Sequence, residues 1–281
     1  GVVTAPSRLE LVLRRPVAAL VVIGVACILY GRLVEPWWPA FEHVRIASAK
    51  WPAASPPLRI VHLSDLHCER EPRLEERLPD LVAAARPDVI VFTGDSLNEP
   101  AGLPVLRRLL TRLATVAPVV VVKGNWDVWY WSDLDLFGGT GVHELDAQTK
   151  TLTVRGVDVQ LVGAPVGKAD QGIEALRAAS PDALRVFLYH YPDEIYRAAG
   201  AGADLYLAGH THGGQVALPF YGALVTFSRF GKRFESGLYA VPPTHLYVNR
   251  GIGMEGGSAP RVRFWARPEI TVLEVGGPGG R

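Results

Sequence analysis

Ile60-Val61-His62-Leu63-Ser64-Asp65-Leu66-His67 starts as an apolar run and ends in a carboxylate and an imidazole one residue apart. Leu58–Leu63 reads as a strand. Residues i and i+2 of a strand share a side, so Asp65 and His67 can point together at one position as the strand ends. Oxygen and nitrogen donors converging at about 2.0–2.2 Å are what a divalent cation of hard-to-borderline character needs. Asp-x-His alone is a common pairing, and its weight here comes from the strand ends further along the chain.

Downstream, leucine spacing predicts a helix over residues 72–86, through Leu74, Leu78, Leu81, Val82 and Ala85. An apolar strand over 88–93 runs into Gly94-Asp95. A second helix over 103–117 places Leu106, Leu109, Leu110 and Leu113 on one face, and a strand over 118–122 runs into Lys123-Gly124-Asn125-Trp126-Asp127. Alternating strands and helices, with strands apolar on both faces, predict a layered α/β fold. The second half is richer in strands. A hairpin over 151–154 and 158–162 turns at Gly156, and a helix covers 172–179. A strand over 184–188 ends at His190, and a short helix covers 194–199. A strand over 204–207 ends in Gly209-His210-Thr211-His212-Gly213-Gly214, and further strands are predicted over 215–217, 237–240, 246–248, 262–265 and 270–275. Together these imply two sheets packed face to face with helices outside, over residues 58–275, and a tail over 276–281.

Five predicted strand ends finish in metal-capable side chains: Asp65 and His67, Asp95, Asn125, His190, and His210 with His212. Four of the chain's eight histidines fall in this set, which chance placement does not explain. In open α/β sheets ligands gather at the carboxyl ends of strands. Seven donors are too many for one tetrahedral zinc and suit two cations that share a carboxylate, roughly 3.5–4 Å apart. With no thiolate in the set, it is not of the structural zinc type. Mn²⁺, Fe or Zn²⁺ fits mixed N/O ligands. Such a pair can clamp phosphoryl oxygens and lower the pKa of a water between them.

Upstream, Val17–Tyr30 carries no charge and, with Leu33 and Val34, approaches the roughly 17–20 apolar residues that cross a bilayer. Arg14 and Arg15 precede it, and Trp37, Trp38 and Trp51 follow as an interfacial belt would. Residues 1–34 therefore read as a retained membrane anchor, with a cleaved signal or a buried helix as alternatives, and the arginines favour an extracytoplasmic main domain. Residues 35–57, rich in Pro, Trp and Ala, read as a linker. With 29 basic and 28 acidic side chains the formal charge is +1, which argues against a dedicated nucleic-acid binder. Cys27 and Cys68 do not make a disulfide framework.

Taken in order, Asp65-x-His67, Gly94-Asp95, Gly124-Asn125-x-Asp127, His190 and Gly209-His210-Thr211-His212 resemble the calcineurin-like metallophosphoesterase superfamily. The wording Leu207–Gln215, with Asn249-Arg250-Gly251-Ile252-Gly253 downstream, is similar to its branch with a membrane segment, linked to UDP-2,3-diacylglucosamine pyrophosphohydrolases of lipid A synthesis and to cell-envelope phosphoesterases. The resemblance implies a four-layer α/β/β/α sandwich. It also implies one metal on Asp65, His67, Asp95 and His212, and a second on Asp95, Asn125, His190 and His210, with Asp95, Asn125 and His210 closest to catalysis. At one position the chain departs from the family: Trp126 stands where the family usually has a histidine that protonates the leaving group. Indole has no proton to give at neutral pH. A phosphate leaving from an anhydride needs no acid, whereas an alkoxide does, so Trp126 favours a diphosphate bond or an activated ester. Lys123 and Arg250 are expected to neutralise phosphate charge in compensation. The expected enzyme is a monomeric, membrane-anchored hydrolase of a phosphorylated lipid or nucleotide-linked lipid. A catalytically silent phospholipid-binding protein and a broad phosphodiesterase are the competing readings.

Overall fold

The structure, a computed structural model, describes residues 8–257 and 261–279. The chain runs α1 (Arg8–Leu33), β1 (Ala40–Ala47), β2 (Leu58–Leu63), α2 (Leu78–Ala84), β3 (Val89–Phe92), α3 (Leu103–Ala114), β4 (Val119–Val121), α4 (Asn125–Trp129) and β5 (His143–Glu144). It continues with β6 (Gln148–Val154), β7 (Val157–Gly163), α5 (Ala169–Ala178), β8 (Leu184–Leu188), α6 (Ile195–Gly200), β9 (Leu205–Ala208), β10 (Ala217–Leu218), β11 (Gly222–Ala223), β12 (Gly237–Val241), β13 (Thr244–Val248) and β14 (Glu269–Gly276).

One sheet has the order β1-β14-β2-β3-β4-β5 and the other β12-β13-β9-β8-β7-β6. Side-chain alternation decides which layer each residue enters. Ile60, Val89, Val91 and Val120 of the first sheet meet Leu161, Val186, Leu205 and Leu207 of the second in the central core. Val61, Ile90 and Phe92 point the other way, onto Leu78, Val82, Leu106 and Leu110 of α2 and α3. Phe187, Tyr206 and Val248 meet Ile173 and Leu176 of α5 and Ile195 of α6. Both faces of each sheet are thus covered, which is why β3 is apolar throughout, and the result is the expected α/β/β/α sandwich.

Three expectations are corrected. The helix predicted from residue 72 begins at Leu78, because Pro79 lacks an N–H and is tolerated only in a first turn. Residues 262–265 form no strand beyond one bridge, Val216 with Phe264, because Trp265 turns to φ 57 and ends the pairing. The segment 35–57 is not a linker. Its residues 40–47 pair in parallel with β14 from Ala40–Glu269 to Ala47–Gly276, and Trp51 is buried with Nε1 donating to the Pro56 carbonyl at 3.0 Å. The alternating Glu42, His43 and Arg45 that hide this strand in the sequence suit the half-exposed edge of a sheet.

Helix α1 is long and apolar enough to cross a membrane and stands largely free of the domain, with Leu20, Val21 and Val22 exposed. Among the described residues, its end is the part that is docked. The Gly31 carbonyl accepts the Arg263 N–H at 2.9 Å, and Tyr30 packs edge-on against Phe264 at 6.1 Å. Residues 1–7 of the predicted anchor segment and residues 280–281 of the predicted tail lie outside the described residues.

Candidate metal centre

The turns after β2, β3, β4, β8 and β9 meet at the carboxyl ends of their strands, as expected of an α/β layer. Strand pleating, however, does not aim the donors. β2 stops at Leu63, and Asp65 (φ 50) and His67 (φ 44) lie beyond it in the left-handed region. Asp95 (φ 59), His210 (φ 72) and His212 (φ 51) share that conformation. For residues other than glycine it costs of order 1–3 kcal/mol each, and it persists only where the surroundings over-determine it.

Those surroundings are specific. Asp65 N donates to Gly94 O at 2.9 Å and His67 N to Asp95 O at 3.0 Å, locking the first two turns together. A Cβ on Gly94 would lie 2.3 Å from Gly124 N, and one on Gly209 would lie 1.9 Å from Ser64 Oγ, so only glycine permits these approaches. The buried Asp127 braces the second and third turns. Its Oδ2 accepts Asp95 N and Gly124 N, both at 2.9 Å, and its Oδ1 accepts Ser96 N at 2.8 Å.

Two trios result. In Asp65, His67 and His212, and again in Asp95, His190 and His210, the ligand atoms lie within 4.8 Å of one another. Asp95 Oδ2 sits between them, 3.2 Å from His190 Nε2 and 3.7 Å from His67 Nε2. Its Oδ1 accepts Trp126 N at 2.8 Å. Asp65 Oδ1 lies 3.3 Å from His212 Nε2. Asn125 opens α4 beside them.

This set fits a pair of divalent cations. Both ring nitrogens of His67, His190 Nε2 and Asn125 Oδ1 are buried without a hydrogen-bond partner, a costly arrangement unless they serve a ligand. His190 Nδ1 donates to Thr93 O at 2.7 Å, which fixes its proton there and turns the Nε2 lone pair inward. Burial lowers the His67 and His210 pKa values to about 3, leaving neutral rings with free lone pairs. His190 behaves oppositely. Burial works against its protonation, yet the adjoining Asp95 charge raises it to about 9. The carboxylates demand positive charge at the point where Asp95 Oδ2 and His190 Nε2 meet.

The sequence matches the calcineurin-like phosphoesterase family over residues 58–214. The chain belongs to that family. It is 32% identical over 266 residues to the uncharacterized metallophosphoesterase YkuE of Bacillus subtilis, covering 88% of each chain. It is 32% identical over 260 residues to the phosphodiesterase YaeI of Escherichia coli, covering 88% of this chain and 92% of that one. It is 24% identical over 277 residues to the UDP-2,3-diacylglucosamine pyrophosphatase LpxG of Chlamydia muridarum, covering 77% and 83%. This phosphoesterase is thus a metal-dependent hydrolase of phosphoester bonds, with two sets of residues suited to divalent cations.

The structure brings six of the expected donors together in the two trios, with Asn125 at the start of α4 and Trp126, whose N–H reaches Asp95, next to it. The Trp126 ring lies 5.2 Å from His67 and 5.0 Å from Tyr130, with the Glu255 carboxylate beside it. Lys123 and Arg250, expected to neutralise phosphate charge, each have acidic partners in the domain. Lys123 Nζ pairs with Glu144 at 3.0 Å, and Arg250 pairs with Glu42 at 2.6 Å and Glu269 at 3.0 Å.

Two residues beside the site escape a reading of the sequence. Glu255, its pKa raised by burial, lines the site with no motif to mark it. Arg263 is fully buried. Its Nε donates to Gly253 O, Nη1 to Ala266 O and Nη2 to Arg250 O, each at 2.8 Å, and Nη2 lies 3.3 Å from His212 Nδ1. In sequence it reads as one residue of a short strand.

A cavity of about 400 Å³ opens directly on His210 and His212, walled by Val216, Leu224, Val225, Phe227 and Glu255. A hollow of about 430 Å³ between Arg45, Pro57 and Glu274 lies at the opposite end of the first sheet and contains none of the donors.

Proposed function

We propose that this phosphoesterase is a membrane-anchored dinuclear enzyme cleaving a phosphodiester or diphosphate bond in a phosphorylated or nucleotide-linked lipid, a molecule such as UDP-2,3-diacylglucosamine. The observation that carries the reading is the cavity, which joins a largely apolar wall to the two histidines of the Gly-His-Thr-His turn. Its volume falls in the ordinary range of ligand pockets, roughly 300–1,000 Å³, and its Leu224, Val225 and Phe227 wall suits an acyl chain. The pyrophosphatase relative supports a lipid-linked substrate.

In this reading Asp65, His67, Asp95 and His212 hold one cation, and Asp95, Asn125, His190 and His210 the other. A bound pair would clamp phosphoryl oxygens and make a water between them acidic. The chain's own residues do the rest. Thr93 O keeps the His190 proton on Nδ1, and Asp127 fixes the Asp95 and Asn125 turns through three backbone N–H groups. Trp126, packed on His67 with Glu255 beside it, fills the space beside the leaving group without supplying a proton. Substrates whose leaving group is already a stable anion are therefore favoured, a diphosphate above all. Helix α1 anchors the enzyme, and Arg14 and Arg15, just ahead of its uncharged stretch, favour an extracytoplasmic domain.

A second reading, a phosphodiesterase of broad range, is favoured by the relative from Escherichia coli. One panel separates them: UDP-diacylglucosamine, polyprenyl diphosphates, glycerophosphodiesters and aryl phosphates, with Mn²⁺ added and products identified by mass. Cleavage confined to diphosphate-linked lipids supports the first reading. Comparable turnover of glycerophosphodiesters overturns it in favour of the second.

A further inference from the structure

Three aromatic side chains near the metal centre are exposed and held in a backbone conformation that such residues avoid. Phe220 (φ 65) is fully exposed at 111%, Phe227 (φ 53) is 68% exposed and Trp265 (φ 57) is 63% exposed. Glycine or asparagine would make these turns at little steric cost, and burial within the domain repays none of it here. Leu218, Tyr221, Leu224 and Val225 add exposed apolar surface on and beside the same β10–β11 hairpin.

The patch has a definite position. Ala217 N donates to Phe264 O at 2.8 Å, and Phe264 packs on Tyr30 in the last turn of α1. Trp265 lines a hollow with Tyr30 and Glu35 on one side and another with Phe220 and Tyr221 on the other. Trp37 and Trp38, both exposed, follow α1 directly. The hairpin tip, Trp265 and Trp38 therefore surround the point where an apolar helix joins the domain. Cations accompany them, with Lys232 over the Tyr221 ring at 3.5 Å and Arg267 over the Trp38 ring at 4.0 Å. Aromatic rings with lysine and arginine at the foot of a span match the chemistry of the headgroup region.

We propose that the β10–β11 hairpin, Phe227 and Trp265 form a second membrane contact, dipping into the headgroup–acyl boundary of the leaflet from which α1 emerges. Because Leu224, Val225 and Phe227 also wall the metal-site cavity, this contact sets the cavity mouth against the bilayer, where an apolar chain enters without crossing water. The inference rests on α1 being a membrane span, as proposed above, and not on which bond is cleaved.

The test uses the full chain with Cys27→Ala, leaving Cys68 buried and unreactive, and one added cysteine carrying an environment-sensitive dye. Phe220→Cys is the probe. Arg177→Cys is the control, exposed near the end of α5, which runs back toward the amino ends of the strands. Each protein is reconstituted in phosphatidylcholine vesicles with a minor fraction of phosphatidylglycerol, and floated. The expected result is co-flotation, with a blue-shifted dye at 220 that brominated lipid quenches and a water-exposed dye at 177. Floating protein with both dyes equally water-exposed overturns the second contact and leaves the anchor standing. A dye at 220 shielded from water but untouched by brominated lipid overturns it too, and points to a protein covering the patch. A chain that does not float overturns the anchor reading, and the inference with it.

Discussion

Replacing Arg263 by lysine tests whether one buried guanidinium holds the metal-site loops together. Three carbonyls, those of Arg250, Gly253 and Ala266, accept from its planar fork at 2.8 Å each, inside a region closed to solvent. Burial, then the neighbouring Arg73, lower its pKa to about 9, so it is still a cation at neutral pH. Lysine keeps the charge but offers one compact ammonium, which cannot meet three acceptors arranged for a fork. Two carbonyls left without a donor cost about 1–3 kcal/mol each, so the loss is about 2–4 kcal/mol after partial relaxation. In a domain of this size 1 kcal/mol moves Tm by about 2–4 °C, which gives a fall of roughly 5–15 °C. His212 loses the guanidinium 3.3 Å from its Nδ1, and loosening such a neighbour costs about 10–100-fold in metal affinity. Thermal unfolding of the full chain in detergent, followed by near-ultraviolet circular dichroism, reads the first effect. Competition with a chelator reads the second. A Tm within about 2 °C of wild type, together with a superimposable chelator curve, would refute the role assigned to Arg263.

Asp95→Asn removes the charge whose Oδ2 lies between the two trios. Metal analysis should show the loss of at least one ion per chain and turnover of an activated phosphodiester should fall by roughly 10³-fold, so undiminished turnover would sink the shared-ligand assignment. Gly209→Ala places a Cβ 1.9 Å from Ser64 Oγ and 2.3 Å from Asp65 Oδ2, which pushes the Gly-His-Thr-His turn off its partner. A kcat loss of about 10²-fold or more is expected on the scale of a 1 Å misplacement, and wild-type kinetics would count against the close approach. His62 is buried against Thr93 Oγ1 at 2.9 Å, and burial lowers its pKa from 6.5 to about 3. The unfolded chain takes up this proton first, so its contribution is intact above pH 6.5 and is lost as pH falls toward 3, by about 2 kcal/mol at pH 5. The Tm drop from pH 7 to pH 5 should be shallower in His62→Gln, and identical drops would remove His62 from the acid sensitivity.

The layered fold and the seven donors are legible in the sequence because they leave strong local marks. A strand covered on both faces is apolar along its length, as Val89–Phe92 is, and a polar residue just past its end stands out. Strand alternation is nevertheless an incomplete reason for the pairing of Asp65 with His67. Pleating would align them on a strand, but the strand has already ended, and left-handed turns locked to Gly94 and Asp95 aim them instead. Such turns depend on partners some thirty or more residues away and leave only their glycines in the sequence. The ion pairs of Lys123 and Arg250 are hidden for a related reason, because Glu144, Glu42 and Glu269 come from other elements of the chain.

The ordered segment 35–57 changes how α1 relates to the site. Glu35 is buried, and its carboxylate accepts the N–H groups of Trp265 at 2.9 Å and Ala266 at 2.6 Å. Just before these two, Arg263 gives its backbone N–H to Gly31 at the end of α1 and its side chain to the loops behind His212. With β1 then paired along β14, the helix enters the domain through a short hydrogen-bonded neck and not a flexible tether. A tether would let the cavity mouth face any direction. A neck that shares Arg263 with the metal site fixes the direction of the cavity relative to the helix, so the membrane contact we propose for the aromatics around that neck would bear on substrate access as well as on attachment.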